Sequence, residues 1–530
     1  MICSFFQKTL KIIVNLEKQK INMNSATIIS IIAIYFLALY IISYQTSKDD
    51  SNNVFFNAGR DSKWYVVAFG MVGASLSGVT FISVPGWIES SQFSYLQVVF
   101  GYFIGYLIVS YILLPVYYKL NLTSIYEYLD IRFGKSAHLT GAFYFFISRL
   151  LGASFRLFLV AIVLQQFVFD NWNIPFPVTV GISIALIWIY TFKGGIKTIV
   201  WTDTLQTLFM ILAVIISIIS ILNSIDLSIS EYFFSDEFKR FNQVFFTEDI
   251  NDRNYFFKSF IGGVFVTICM TGLDQDMMQK NLTCKSIKDA QKNMISFSFV
   301  LVLVTALFMF LGSLLFTYKD INGIEIPSMN GQIRTDLLFP EIALNSELGL
   351  VLGISFLLGL IAAAYSSADS ALTSLTTSFC VDFLEMGKDE KQNKKTRKIV
   401  HFLMSLLLMI TIIIFKYVLS SNVIDSLLTV ASYTYGPLLG LFAFGLYTKR
   451  KLQGNMIYFV VILAPILTYL INISPTLISF YNLEALMECN LGTWECANIY
   501  AKENLYIFGY ELLPINGLIT MTGLYIFSKR

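Results

Sequence analysis

Charge is what this chain of 530 residues has least of: Asp, Glu, Lys and Arg together make up 14% of it. A water-soluble protein carries about 25%, so a soluble enzyme or binding module is excluded. Proline is also scarce, at 10 residues, and no long Ser/Gly/Pro stretch interrupts the sequence. That argues against several domains strung on linkers. Histidine is nearly missing: His138 and His401 stand alone, with no Cys/His cluster, which excludes a zinc or haem centre. The net charge is only +2 and no basic tract is long, so nucleic acid is not an expected partner. No nucleophile–base pair marks a membrane enzyme either.

What fills the chain is apolar: 56% hydrophobic residues, 48 Phe and 29 Tyr, with a mean hydropathy of +0.66. Apolar stretches of about 20 residues, enough to cross a bilayer as helix, fall at 26–45, 64–89, 94–118, 138–168, 176–193, 198–223, 256–279, 294–317, 347–380, 399–420, 423–446, 455–473 and 507–527. The expectation is an all-α integral membrane protein of about thirteen helices in one continuous domain. The stretch 138–168 exceeds one crossing and should tilt or project.

Basic residues collect in alternate connections: Lys48, Arg60 and Lys63; Arg132 and Lys135; Lys193 and Lys197; Lys280, Lys285, Lys288 and Lys292; Lys388 to Lys398; Lys449 to Lys451; Lys529 and Arg530. The positive-inside bias makes these cytoplasmic, which puts the amino end of the membrane domain outside and the carboxyl end inside. An Asn/Lys/Ile-rich composition suggests an AT-rich bacterial genome, and the expected location is the plasma (inner) membrane. Residues 1–25, with Lys8, Lys11, Lys18 and Lys20 on what should be the outer side, read as an extension to the membrane domain 26–530. Translation starting near Met23, or a peripheral amphipathic segment, would each account for it. Of six cysteines, Cys489 and Cys496 share an outer loop where a disulfide is the expectation and free thiols the alternative.

Two stretches combine helix-weakening residues with polar ones. Gly70, Gly73, Ser75, Ser77, Gly78 and Thr80 precede Pro85-Gly86 in the second; Gly262-Gly263 and Thr271-Gly272-Leu273-Asp274-Gln275 lie in the seventh. Glycine and proline disfavour helix, and unwound backbone survives at membrane depth only in protein or along a cavity. Two interrupted helices five apart in order suggest inverted halves with a binding site between them, roughly 64–223 and 256–446. Close packing through small residues is the alternative. The ninth stretch adds Ala363, Ser366, Ser367 and Ser370 on one helical face, with Asp369 adjoining. Oxygens on successive turns suit a small hard cation, although any single serine can bond its own backbone. Asp203, near one end of the sixth stretch, reads equally as an acidic ligand or an interfacial charge.

Gly194-Gly195-Ile196 through Gln206, Asp274-Gln275 with Gln279, Lys285 and Ala290, and Ala362 through Asp382 together resemble the sodium/solute symporter family, from about residue 26 to about 450. The resemblance implies a five-plus-five inverted-repeat core with one helix before it and two after, and sodium as coupling ion. It implies a sodium site from the carbonyls of Gly73, Leu76 and Ala363 and the hydroxyls of Ser366 and Ser367. A second sodium site in some members matches Asp203, Ser366, Asp369 and Ser370, with a carboxylate at Asp369 where the sialic acid transporter has serine. The sugar-contacting pattern of the galactose transporter is replaced by Thr80, Thr267 and Met270, which argues against a sugar. Arg149 and Arg156 are seven apart on one face, and Arg149 falls near the carboxylate-holding arginine of the sialic acid transporter; a structural pair with acidic partners is equally open. Ser77, Gln275 and Tyr433 complete the candidate solute residues, with Tyr435 as a further candidate wall. The functional expectation is a sodium-coupled symporter of a small organic solute, anionic by its arginines. A proton-coupled symporter and a non-transporting membrane sensor stand as alternatives.

Overall fold

The computed structural model describes residues 25–46, 51–192, 194–329, 332–386, 390–418, 423–452, 456–481 and 493–529. The extension 1–24 and the Cys489–Cys496 pairing lie outside the described residues. Helix dominates, and two short antiparallel strand pairs, 328–329 with 332–333 and 451–452 with 528–529, are the only ladders among the described residues.

Among the described residues, seven helices are long and apolar enough to cross a membrane: Tyr95–Lys119, Lys135–Leu164, Gly195–Ser224, Ile287–Asn322, Leu350–Phe383, Asn393–Val418 and Met456–Phe480. Two bent pairs raise the number to nine: Trp64–Ser75 with Gly78–Gly86, bent by 54°, and Phe256–Gly272 with Gln275–Leu282, bent by 63°. Shorter apolar helices stand at Ser30–Thr46, Phe176–Thr191 and Leu512–Ile526, and a further helix runs Val423–Tyr447. The chain is therefore a helical, multi-pass membrane protein.

Both breaks fall where glycine and polar residues crowd. In the first, Leu76 leaves helical geometry (φ −78°, ψ 85°) and Ser77 is extended (φ −81°, ψ 175°). In the second, a π-helical turn at Ile268–Gly272 ends at Leu273, and Asp274 caps the following helix by accepting from the amides of Asp276 at 2.9 Å and Met277 at 3.3 Å. Buried tyrosines satisfy the carbonyls that the second break sets free: Tyr117 donates to Gly272 at 2.8 Å and Tyr126 to Leu273 at 2.9 Å. Gly262 and Gly263 do not mark a break. A Cβ on Gly263 would collide with the Val98 carbonyl and one on Gly262 with Tyr510, so these two glycines serve close packing.

Gly195–Ser224 and Leu350–Ser378 pack along each other, and both touch the first broken helix. Phe81, just past the first break, lies 5.8 Å from Phe356 and 5.5 Å from Phe339 between ring centroids. This aromatic cluster anchors the second half of the broken helix against the serine-bearing one.

Candidate functional site

Hydroxyls on Gly195–Ser224 grip the first broken helix ahead of its break. Thr204 donates to the Val66 carbonyl at 3.3 Å and Thr207 to that of Phe69 at 3.0 Å. The approach requires glycine: a Cβ at Gly73 would collide with Thr207 Oγ1, and one at Gly70 would sit 3.1 Å from Asp203 Cβ. At the break, the Ser77 amide donates to Ser75 O at 3.1 Å rather than to Gly73 O four residues back, so the Gly73 carbonyl loses its usual helical partner.

The third wall is the serine helix. Ala363, Ser366, Asp369 and Ser370 are fully buried and Ser367 is 1% exposed. Ser366 donates to Asp203 Oδ1 at 2.6 Å, so Asp203 is held between Gly70 of the broken helix and Ser366. Ser367 Oγ, Ser370 Oγ, Thr373 Oγ1 and Asp369 Oδ1 are buried with no hydrogen-bond partner among the described residues. Orphaned buried oxygens are costly unless something completes them. Gly73 and Leu76 stand at the break and Ala363, Ser366 and Ser367 on the buried helix that touches it, and a donor set of that chemistry fits a dehydrated sodium ion. By donating its proton to Asp203, Ser366 keeps its lone pairs for a cation.

Asp203 is fully buried, which removes the reading of it as an interfacial charge. Its partner is Lys280, whose Nζ stands 2.8 Å from Asp203 Oδ2 and whose side chain is 1% exposed. Lys280 is therefore not a loop cation: it lies on Gln275–Leu282, the second half of the second broken helix. Asp369 accepts from the Tyr190 hydroxyl at 2.8 Å.

Beside the first break lies a cavity of about 120 Å³. Ser77, Thr80, Arg149, Arg156, Thr267 and Met270 all line it, together with Tyr95, Tyr102 and Tyr106. Gln275 and Tyr433 are not among its walls. Gln275 instead receives the Ile125 amide at 2.9 Å and donates to Thr123 O at 2.8 Å, tying the break to the 123–125 turn. The Tyr433 hydroxyl accepts from Asn472 at 2.7 Å. Tyr435 stands with Arg149 and Arg156 around a smaller adjoining void.

The two arginines have different fates. Arg149 forms a buried ion pair with Asp276. Arg156 makes no ion pair among the described residues, and its Nε is buried without a partner. The tyrosine face and the Asp276 and Lys280 partners were missed from sequence. Tyr95, Tyr102 and Tyr106 do share a helical face by spacing, but aromatic residues are too plentiful here for that to stand out. Asp276 and Lys280, four apart just after a broken helix, carried a usable signal.

Such an assembly, with two broken helices flanking a polar cavity and a cation-suited junction inside a multi-pass helical protein, defines a membrane transporter. The sequence matches the profile of the sodium:solute symporter family over residues 55–459. The chain belongs to the sodium:solute symporter family, and sodium is its coupling ion. A sodium/sialic acid symporter of Aliivibrio fischeri is 26% identical over 457 residues, covering 85% of this chain and 87% of that one. The sodium-coupled monocarboxylate transporter 1 of Xenopus laevis is 30% identical over 246 residues, 46% of this chain and 38% of that one. A substrate-bound, outward-open Na⁺-coupled sialic acid symporter superposes with a TM-score of 0.74 at 21% identity, over 95% of this chain and 98% of the other; this last likeness establishes the fold.

Proposed function

We propose that the protein imports a small organic anion, of carboxylate type, in symport with sodium by alternating access. One observation carries the choice of solute: Arg156 faces the cavity with no carboxylate among the described residues paired to it, while its neighbour Arg149 is engaged by Asp276. An unpaired guanidinium at membrane depth is costly, and a bidentate carboxylate is the ligand that would relieve it. The relatives named for sialic acid and for monocarboxylates support the same class.

The membrane domain, 26–530, is read as thirteen helices with core halves 64–223 and 256–446 related by inversion. The two breaks, bent by 54° and 63°, support that reading. The amino end of the domain faces outside and the carboxyl end the cytoplasm. Sodium fixes the first broken helix to the serine helix, Ser77 and Thr80 carry that order into the cavity wall, and the solute binds against Arg156. The low internal sodium and negative potential, worth about 2.3 kcal/mol per charge per 100 mV, then favour release inside.

Proteoliposome uptake tests this. Labelled monocarboxylates, a sialic acid and neutral sugars are offered under an inward sodium gradient, a proton gradient, or neither. Concentrative, sodium-driven uptake of a carboxylate is expected. Binding without uptake, uptake driven by protons alone, or transport confined to neutral sugars would refute the proposal.

A further inference from the structure

Among the residues implied for a second sodium ion, Asp369 Oδ1 and Ser370 Oγ have no partner among the described residues, but Asp203 already faces a cation of the protein. Asp203 has one oxygen on Ser366 at 2.6 Å and the other 2.8 Å from Lys280 Nζ. The ammonium thus stands against the carboxylate that would be the strongest ligand of that ion. Lys280 cannot easily withdraw to water, because its side chain is 1% exposed. Its backbone is also fixed: the helix that carries it is capped by Asp274 and tethered through Gln275 to the 123–125 turn. Asp369 supplies a second carboxylate nearby, held by Tyr190 at 2.8 Å. With Lys280 included, two buried negative charges are offset by one fixed positive charge, which leaves room for one monovalent cation rather than two.

We propose that Lys280 is a resident cation standing where a second sodium ion is implied, so that one sodium ion binds per chain, at Gly73, Leu76, Ala363, Ser366 and Ser367. The proposal rests on the sodium-coupled reading of the same site. The remaining charge of Asp369 adds to the pull on that single ion without ligating a further one. Loss of the ammonium exposes Asp203, Asp369 and Ser370 as an anionic oxygen cage of the kind that takes sodium.

Radiolabelled sodium binding to the purified full-length chain tests the proposal without transport activity. Wild type is expected to bind one ion per chain with a Hill coefficient of about 1. Lys280→Met is expected to bind two, with its thermal stability now rising over a second sodium-dependent phase. Should that variant fail to fold, Asp203→Asn combined with Lys280→Met removes both charges together. It is expected to bind one ion, as wild type does. Two ions in wild type, one ion in folded Lys280→Met, or one fewer ion in the double variant than in wild type would each overturn the proposal. Two ions in wild type would leave sodium symport standing, whereas no sodium binding at all would bring down both readings.

Discussion

Replacing Ser367 with alanine isolates the cation's contribution from everything else the site does. Ser367 Oγ is buried and has no hydrogen-bond partner among the described residues, so its loss breaks no hydrogen bond among them. Ser366→Ala is a poorer probe, because it also deletes the bond to Asp203 at 2.6 Å. One hydroxyl on a charged partner is worth about 1.5–3 kcal/mol, and about 1.4 kcal/mol is tenfold in affinity. Sodium affinity should therefore fall roughly ten- to hundredfold. The assay is thermal unfolding of the purified protein titrated with sodium chloride against choline chloride at constant ionic strength. A ligand that binds only the folded state stabilises it by RT ln(1 + [Na⁺]/Kd). At sodium well above Kd, a tenfold weaker site costs about 1.4 kcal/mol of that stabilisation, while stability without sodium is unchanged. Ser374 is the control: it lies on the same buried helix but donates to its own Ala371 carbonyl at 3.1 Å, so Ser374→Ala should titrate as wild type does. If Ser367→Ala keeps the wild-type midpoint, the cation is not at this junction and the assignment of the five oxygens is wrong.

Three further outcomes follow from the same contacts. Gly73→Ala forces a Cβ against Thr207 Oγ1, so sodium-driven uptake should fall at least tenfold, with partial recovery when Thr207→Ala is added; wild-type uptake in the single variant would show that the two helices need not meet so closely. Asp276→Asn strands Arg149 in the interior and should cost about 3–5 kcal/mol of stability, measured by chemical unfolding, most of it regained with Arg149→Gln in the same chain. Arg156→Gln should weaken binding of the transported anion about tenfold or more while leaving the sodium titration of the unliganded protein near wild type. A parallel loss of sodium affinity would instead make Arg156 part of the scaffold.

The breaks and the serine face could be read from sequence because unwound backbone and polar groups are costly against lipid. Glycine, serine and threonine at Gly70–Thr80, and a carboxylate beside the Ser366–Ser370 face, are too costly in a bilayer to be incidental. Gly262 and Gly263 show the limit of that argument. Their composition is that of a broken helix, yet they pack against Tyr510 and Val98, and the break itself comes ten residues later, at Leu273 and Asp274. Small residues serve both purposes, and only the partner helix decides which. Lys280 was misplaced for a related reason. Its neighbours Lys285, Lys288 and Lys292 are ordinary loop or helix-end cations, and a count of basic residues cannot distinguish one whose helix turns back into the protein. Spacing put Arg149 and Arg156 on one face, and the resemblance pointed to Arg149 as the carboxylate holder, with a structural pair equally open. The structure adds Asp276, which lies 127 residues beyond Arg149 and pairs with it from the second half of the second broken helix.

That break gives the short helix Gln275–Leu282 two duties. Asp276 and Lys280 are four residues apart and so project from one side of it, yet their partners belong to different parts of the site. Asp276 holds Arg149 in the wall of the cavity beside the first break, and Lys280 holds Asp203 beside the serine helix. Each tie is a buried ion pair, strongly resistant to being broken one partner at a time. A displacement of this helix cannot leave both pairs intact unless Lys135–Leu164 and Gly195–Ser224 move with it. The single turn between Asp276 and Lys280 is therefore a short connection between the cavity wall at Arg149 and the carboxylate of Asp203. Symport requires that sodium and solute strengthen each other's binding by the same factor. The Asp276–Arg149 and Asp203–Lys280 pairs supply a contiguous physical connection through which that reciprocity can act.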